Sequence, residues 1–401
     1  MKSLPSTQMD TANFGLEKDI EQLKKVVEVN AIEAVVFYTG RILEATSTFC
    51  VTQLGEKAKS NVFANIEYIN DYNLLDSITR HWAHALRRLA NQFRHILKPT
   101  EEHDGHIAII LLDVWLEWLV NKSHLVDSKT KPFSLLENTQ NDMVEQFHWI
   151  SEWLHHKNLN KIEIDNDSSI LRQPVFASVI CEELIDKKEI IQASKFLKTA
   201  LNYHPDDLRL NQLQGLLFSR TGRLKQAEQL LRRLLKQVPN DDETVGILAG
   251  VIKKLWQNGD QNRLNQWGKL YLKGWELSKH RNTYLGINAA TFSLWSGDIE
   301  TSQEIAKNII AIYRHRQKTL KEILKISTDN MDYWDHATLA EAKLLAGLTK
   351  RAEKSYQALF TATHFDNKPH DVPANQLKHH LADSAVASTP LLNELAEKYS
   401  N

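Results

Sequence analysis

The sequence predicts an all-α protein in two parts, a helical bundle followed by a superhelix of helical repeats, and three observations carry that prediction. Apolar residues recur at spacings of three and four from Leu16 to Val120, the pattern of helices that each bury one face. Small and apolar residues repeat with a period of 34 from about residue 173. Between the two lies a polar run, Asn158 to Ser169, that reads as a linker.

Composition bounds what such a chain can be. With 401 residues, 42% of them hydrophobic and 25% charged, it is long enough for two or three domains with cores of their own. Lys+Arg number 49 against 50 Asp+Glu, so any nucleic-acid surface must be a local patch and not a property of the whole molecule. Cys50 and Cys181 both sit in apolar helical surroundings, which argues against a disulfide framework or a cysteine metal site and for a reducing compartment. No window is apolar enough for a membrane helix, and Met1 to Asn13 lacks the apolar core of a signal peptide; the expectation is a cytoplasmic protein with no membrane contact. A Gly-rich phosphate loop, a serine or cysteine triad signature and a dinucleotide fingerprint are missing, so no cofactor is expected.

Residues 1–14 are polar and contain Pro5, and read as a disordered tail. Leu16 to Thr52 reads as one long or two consecutive amphipathic helices, closed by Gly55, with a weaker helix from Asn61 to Asn70. Leu74 to Leu97 is the next helix, stopped by Pro99. After a turn from Thr100 to Gly105, Ile107 to Val120 is apolar around much of its circumference and belongs in the middle of a bundle or at a dimer interface. A loop with Pro132 and a helix from about Asn141 to His156 complete a bundle over residues 15–157, with residues 158–172 as linker.

The helix at 74–97 holds the most chemistry. At 100° per residue, Trp82, Leu86, Leu89, Phe93 and Ile96 fall on one side, while His81, His84, Arg88, Asn91 and His95 fall on the other. The run Arg88-Leu89-Ala90-Asn91-x-x-x-His95, preceded by Tyr38-x-x-Arg41-x-x-x-Glu44, resembles the HEPN superfamily, and more closely its prokaryotic members whose helix reads Arg-Leu-Gly-Asn-x-x-x-His. Two departures stand out: Ala90 replaces the glycine, and Leu89 follows the arginine where a polar residue is frequent. The resemblance implies a small, often dimeric helical bundle and a metal-independent ribonuclease of bacterial defence or stress systems, with Arg88, Asn91 and His95 as catalytic candidates. Independently, RNA cleavage without a metal needs a group of near-neutral pKa and a fixed cation, which His95 and Arg88 supply by type. They stand roughly 10 Å apart along the helix axis, so a second subunit would have to complete the site. His81, His84, Arg87 and Arg94 are candidates to hold RNA phosphates. The same residues also have a structural reading, in which Arg88 and His95 tie the bundle together through carboxylates such as Glu44 or Asp113. A zinc site of His81, His84 and His95 is disfavoured, because the third ligand lies more than two turns away, and no metal is expected.

In the C-terminal part, Ala193, Leu197, Ala200 and Pro205 recur 34 residues later as Ala227, Leu231, Leu234 and Pro239, the tetratricopeptide period. Ala249, Ile252 and Gly259 mark a third unit; Ala290, Gly297, Ala306 and Ile309 a fourth; Ala340, Gly347, Ala352, Tyr356 and Leu359 a fifth. Insertions at 260–282 and 314–332 imply longer helices there, and residues 366–401, with Pro369, Pro373 and Pro390, imply a loop and then a capping helix from Leu391 to Tyr399.

Two segments, Tyr284-Leu285-Gly286-Ile287-Asn288-Ala289-Ala290-Thr291 and Tyr333-Trp334-x-x-Ala337-Thr338-Leu339-Ala340-Glu341-Ala342, resemble the TRAF-binding repeat region of the apoptosis signal-regulating kinases and its bacterial conflict-system relatives. That resemblance spans roughly residues 175–365 and implies a sensor for a protein partner or a nucleotide-derived signal. Tyr284, Asn288, Trp334, His336 and Glu341 have more polar or aromatic character than helix packing requires, and are the candidate binding residues. Tyr284 and Trp334 have an alternative role as fillers between repeats. Two functions thus stay open: a ribonuclease governed by a repeat sensor, or a non-catalytic adaptor whose repeats recruit a partner and whose bundle forms a homodimer.

Overall fold

A computed structural model of the chain describes residues 16–59, 61–94, 102–126, 173–326 and 331–400, and every regular element among them is a helix. The expected tail, the helix at 141–156 and the linker at 158–172 lie outside the described residues. The contacts divide the chain into two compact units, residues 1–213 with 319–327, and residues 214–318 with 328–401. No helix among the described residues is long and apolar enough to cross a membrane.

In the first unit, α1 (Leu16–Glu28) and α2 (Ile32–Gln53) are separate helices, because Asn30 takes a left-handed conformation (φ 51°) that interrupts the ladder. α3 (Val62–Asn70) starts where Asn61 caps it, its side chain accepting from the Ala64 N–H at 2.8 Å. α4 (Ser77–Arg94) and α5 (Glu102–Asn121) follow. The expected turn before Gly105 is in fact the first turn of α5, and Gly105 lies against Ile32 and Val35. Buried from Ile107 to Leu112 and again at Trp115, Leu116, Trp118 and Leu119, α5 occupies the middle of the bundle within a single chain. Its two tryptophans keep their indole donors satisfied, Trp115 by Thr46 Oγ1 at 2.8 Å and Trp118 by the Leu74 carbonyl at 2.9 Å.

α2 and α4 approach closely at Gly40, where an added Cβ would stand 2.6 Å from the Ala90 methyl. The small residues Gly40 and Ala90 together permit this approach.

The first compact unit takes in the first helices of the repeats. α6 (Pro174–Asp186), the first helix of the repeats, packs on α4, with Phe176 edge-on to Trp82 at 5.6 Å. α7 (Ile190–Tyr203) pairs with it, and the division between units falls inside α8 (Leu208–Arg220), between Leu213 and Gln214.

The second unit continues with α9 (Leu224–Gln237), α10 (Asp242–Gln257), α11 (Leu264–Leu277), α12 (Thr283–Trp295), α13 (Ile299–Glu322, whose last turn belongs to the first unit), α14 (Tyr333–Leu345) and α15 (Thr349–Thr361). First helices of successive pairs begin at 174, 208 and 242, so the 34-residue period holds for three units and then stretches. The segment at 260–282 is no lengthened connection: a 3-10 turn, Gln261–Arg263, leads into an ordinary 14-residue second helix. The later insertion does lengthen a helix, to the 24 residues of α13. Residues 366–390 also differ from expectation, because they contain a helix, α16 (Asp371–Leu381), ahead of α17 (Pro390–Tyr399). Pro373 falls in its first turn, where a missing N–H costs nothing.

Within each pair, the turn uses a left-handed residue: Gly222, Gly259, Gly297 and Gly347, but Lys188 in the first pair. Lys188 holds the place that Gly222 holds one period later, at φ 66°. Lys188→Gly is expected to raise stability by about 0.5–1 kcal/mol in urea unfolding, because only glycine takes this conformation without strain. Gly40→Ala is expected to cost about 1–3 kcal/mol by overpacking, and adding Ala90→Gly to recover most of it; a double-mutant cycle reads the coupling.

Candidate functional site

The polar stripe of α4 is occupied by carboxylates from two neighbouring helices. On one side stands Glu67 of α3. Arg80 donates to both of its oxygens at 2.9 Å from Nε and Nη2, and His84 Nε2–H donates to Oε1 at 2.8 Å. Burial would raise this carboxyl, but the Arg80 charge and the hydrogen bonds from His84 and Arg80 outweigh it and hold Glu67 well below the usual carboxylate range. Burial, against the pull of Glu67 and helped by Arg80 and Arg87, pushes His84 down to about 4, so the imidazole is neutral at physiological pH. The Phe63 ring lies 5.2 Å from His84 and receives the Arg87 guanidinium on its face at 5.2 Å. His84 Nδ1 is buried without a hydrogen-bond partner among the described residues.

On the other side the last turn of α6 brings Glu182, Glu183 and Asp186. His81 Nδ1–H donates to Glu183 Oε1 at 2.9 Å, while its Nε2 lies 3.4 Å from Glu182 Oε2 and 4.0 Å from Asp186 Oδ2. Arg88 Nη2 donates to Ser178 Oγ at 3.2 Å and stands 3.9 Å from Glu182. Arg209, from α8, completes the cluster, with Nε on Glu182 Oε1 at 2.5 Å. Burial works against the charged form of Glu182, yet Arg209, His81 and Arg88 together hold it well below its ordinary value. His81 and His84 are each 7% exposed, so neither presents a ring to solvent.

Of the other nominated residues, Asn91 and Arg87 are half-buried, the side chain of Arg94 is not described, and His95 lies outside the described residues. Arg41, from the accompanying motif, donates from Nε to both oxygens of Asp19 at 3.1 Å. The carboxylates Glu67, Glu182 and Glu183 were not nominated. Glu182 and Glu183 sit in a repeat helix, where composition gave no reason to expect partners for the bundle.

The second unit holds another polar row. Lys253 of α10 donates to Asn288 Oδ1 on α12 at 2.8 Å, and Asn288 Nδ2 donates back to the Tyr284 carbonyl at 2.9 Å. One turn along α12, Thr291 donates to Glu341 Oε1 on α14 at 2.9 Å, and His380 Nε2–H of α16 donates to the same oxygen at 2.7 Å. Burial lowers the Lys253 ammonium pKa and the Glu341 charge opposes it. Trp267, under the Lys253 ammonium at 5.5 Å, and Trp295, 5.8 Å from His380, flank the row. Trp267 Nε1 and His380 Nδ1 are buried without a hydrogen-bond partner among the described residues.

Asn288 and Glu341, nominated from two separate segments, therefore meet in one row. Tyr284 adjoins it through its backbone and points its hydroxyl at Tyr271 (3.1 Å), with 56% of the residue exposed. Trp334 (46% exposed) and His336, which packs edge-on to Phe365, lie in the first turn of α14, one to two turns before Glu341. Lys253 and His380 went unnominated. Lys253 and Lys254 follow the apolar run Gly250-Val251-Ile252, and nothing in the run tells which of the two turns inward; His380 was hidden in a segment read as loop.

Residues 189–293 match the model of the Tetratricopeptide Repeats-Sensor family. Over that stretch the paired helices and their 34-residue period are of the tetratricopeptide type. A thermophilic TPR protein of Thermus thermophilus is similar in structure over 51% of this chain and all of its own, with a TM-score of 0.40 and 14% identity. No curated protein matches the sequence.

The Glu182 cluster sets an acid response. Its native pKa lies below the unfolded value of about 4.3, so its stabilisation is complete above that pH and is lost as pH falls toward the native value. Glu182→Gln is expected to cost about 2–4 kcal/mol at pH 7 and to flatten the loss of stability between about pH 5 and pH 3, read by urea unfolding across pH.

Proposed function

We propose that the chain is a sensor-type adaptor. Its repeats receive a partner on the row of first helices that carries Lys253, Asn288, Glu341 and His380, and the N-terminal bundle serves assembly without chemistry of its own. The observation that supports this is the row itself: side chains from four successive first helices, joined by hydrogen bonds and bordered by tryptophans, with two buried donor or acceptor atoms left over. Packing alone does not require a lysine, a glutamate and two such atoms in the interior of a repeat stack, whereas recognition of a polar partner does. The match to a sensor family over residues 189–293 supports the same reading, since it includes Lys253, Asn288 and Thr291. A nucleotide-derived signal is the finer version of this proposal.

In the bundle, Arg80, His81, His84 and Arg88 are turned onto Glu67, Glu182 and Glu183. The ribonuclease alternative, resting on Arg88, Asn91 and His95, requires that arrangement to open. Wild-type protein incubated with labelled RNA in EDTA is expected to leave it intact. Cleavage by the wild type that disappears in a folded Arg88→Ala variant would replace the adaptor reading with the nuclease one. For the repeat face, Lys253→Met is expected to abolish recovery of a partner captured by the wild type while Trp334→Ala retains it. The reverse pattern would move the binding face to the first turn of α14.

A further inference from the structure

The last turn of α6 presents an arrangement that neither the adaptor nor the nuclease reading uses. Glu182, Glu183 and Asp186 all fall there, at the C-terminal end of a helix whose last turn contains no basic residue. Carbonyl dipoles make that end negative, so three carboxylates in the final turn oppose the helix field unless cations face them. Glu182 is answered by Arg209 and Arg88. Glu183 and Asp186, three residues apart and so on one face, turn toward His81 of α4, and Arg80 contributes its charge at Asp186 from the same helix.

One ring nitrogen of His81, one oxygen of Glu183 and one of Asp186 lie within 4.8 Å of one another. Donor atoms around a divalent ion at about 2.1 Å stand roughly 3–4 Å apart, so a small side-chain adjustment brings these three to bonding distance. Two of them are fixed: His81 is 7% exposed and Glu183 1% exposed, and both are held by packed helices. The third is free to close, because the Asp186 side chain is 59% exposed, which also leaves a path for the ion and a coordination position for water.

We propose that His81, Glu183 and Asp186 form a binding site for a divalent transition-metal ion of the zinc class, with water completing the shell. The donor set, one imidazole and two carboxylates, suits such an ion better than Mg2+, which prefers oxygen alone. The site differs from the zinc site weighed from the sequence. His84 belongs to Glu67, and the additional ligands come from a helix about 100 residues further along. Binding joins α4 to α6 in the folded state only, so it stabilises the first unit.

The test uses the full chain stripped with EDTA. Calorimetric titration with ZnCl2 and the Co2+ absorption spectrum are compared between wild type and Asp186→Asn, a substitution at an exposed position that leaves the metal-free melting temperature within about 1 °C. The expected result is one Zn2+ more per chain in the wild type than in Asp186→Asn, or affinity at least 10-fold tighter, with a rise in melting temperature and a visible Co2+ band that the variant lacks. With 17 histidines in the chain, some surface binding will occur in both proteins. Equal stoichiometry, affinity and Co2+ spectra in the two would overturn the site. Should Asp186→Asn alter the metal-free fold, Asp186→Glu, which keeps the ligand type, is the second variant; failure of that folded protein to bind more Zn2+ than a folded His81→Gln variant would overturn it equally.

Discussion

The first unit depends on how it accommodates buried carboxylates. Glu67, Glu182 and Glu183 are drawn into contact with α4, and each brings a desolvation cost that only a nearby cation or donor offsets. α4 meets that need through Arg80 and His84 on one side and His81 and Arg88 on the other. Because its partners come from α3 and from α6, the helix is fixed on both flanks, while Trp82, Leu86 and Leu89 bury its third side. A stripe that looks like a solvent-facing site on a helical wheel is therefore the seam on which the unit is assembled. The first repeat helix is part of that seam, which is why the compact unit runs past the expected linker to Leu213.

The same chemistry appears in the repeats with a different balance. Glu341 accepts from Thr291 and His380 and lies within the field of Lys253, but here the row keeps two buried atoms without partners and a lysine whose ammonium burial disfavours. The seam of the first unit also keeps one such atom, His84 Nδ1, so what sets the row apart is its ammonium: Lys253 is hydrogen-bonded to the neutral amide of Asn288, whereas Arg80, Arg88 and Arg209 face carboxylates directly.

Much of this architecture was legible in the sequence, and its gaps have physical causes. Helix period and the 34-residue repeat depend on apolar spacing, so Ala193, Ala227, Ala249, Ala290 and Ala340 are all fully buried, as their recurrence required. α16 was missed because Pro369 and Pro373 read as breakers, although a proline in the first turn breaks nothing. The division of α4 into two faces was right for Trp82 and Leu86, but a helical wheel cannot show what covers the polar face. Glu182 and Glu183 are some 100 residues away from His81, and no local pattern announces such a pairing. Asn288 and Glu341 could be singled out by their chemistry, whereas the lysine and histidine that join them could be found only once the helices were side by side.

The contacts of α4 also rank how readily each cation could be withdrawn for another task. At Arg88, which stands 3.9 Å from Glu182 and donates to Ser178 Oγ, Arg209 remains on the carboxylate if the guanidinium moves. His81 is the hardest, because Glu183 is almost wholly buried and would lose the donor that faces it, a change of the kind that costs about 3–5 kcal/mol when one partner of a buried pair is removed. At that cost a state with His81 released would be populated on the order of one molecule in hundreds to thousands. Recruiting His81 elsewhere thus requires something to replace it at Glu183. A metal ion held by Glu183 and Asp186 would keep the imidazole in place and make the seam firmer still, so occupancy of that position would favour assembly over opening.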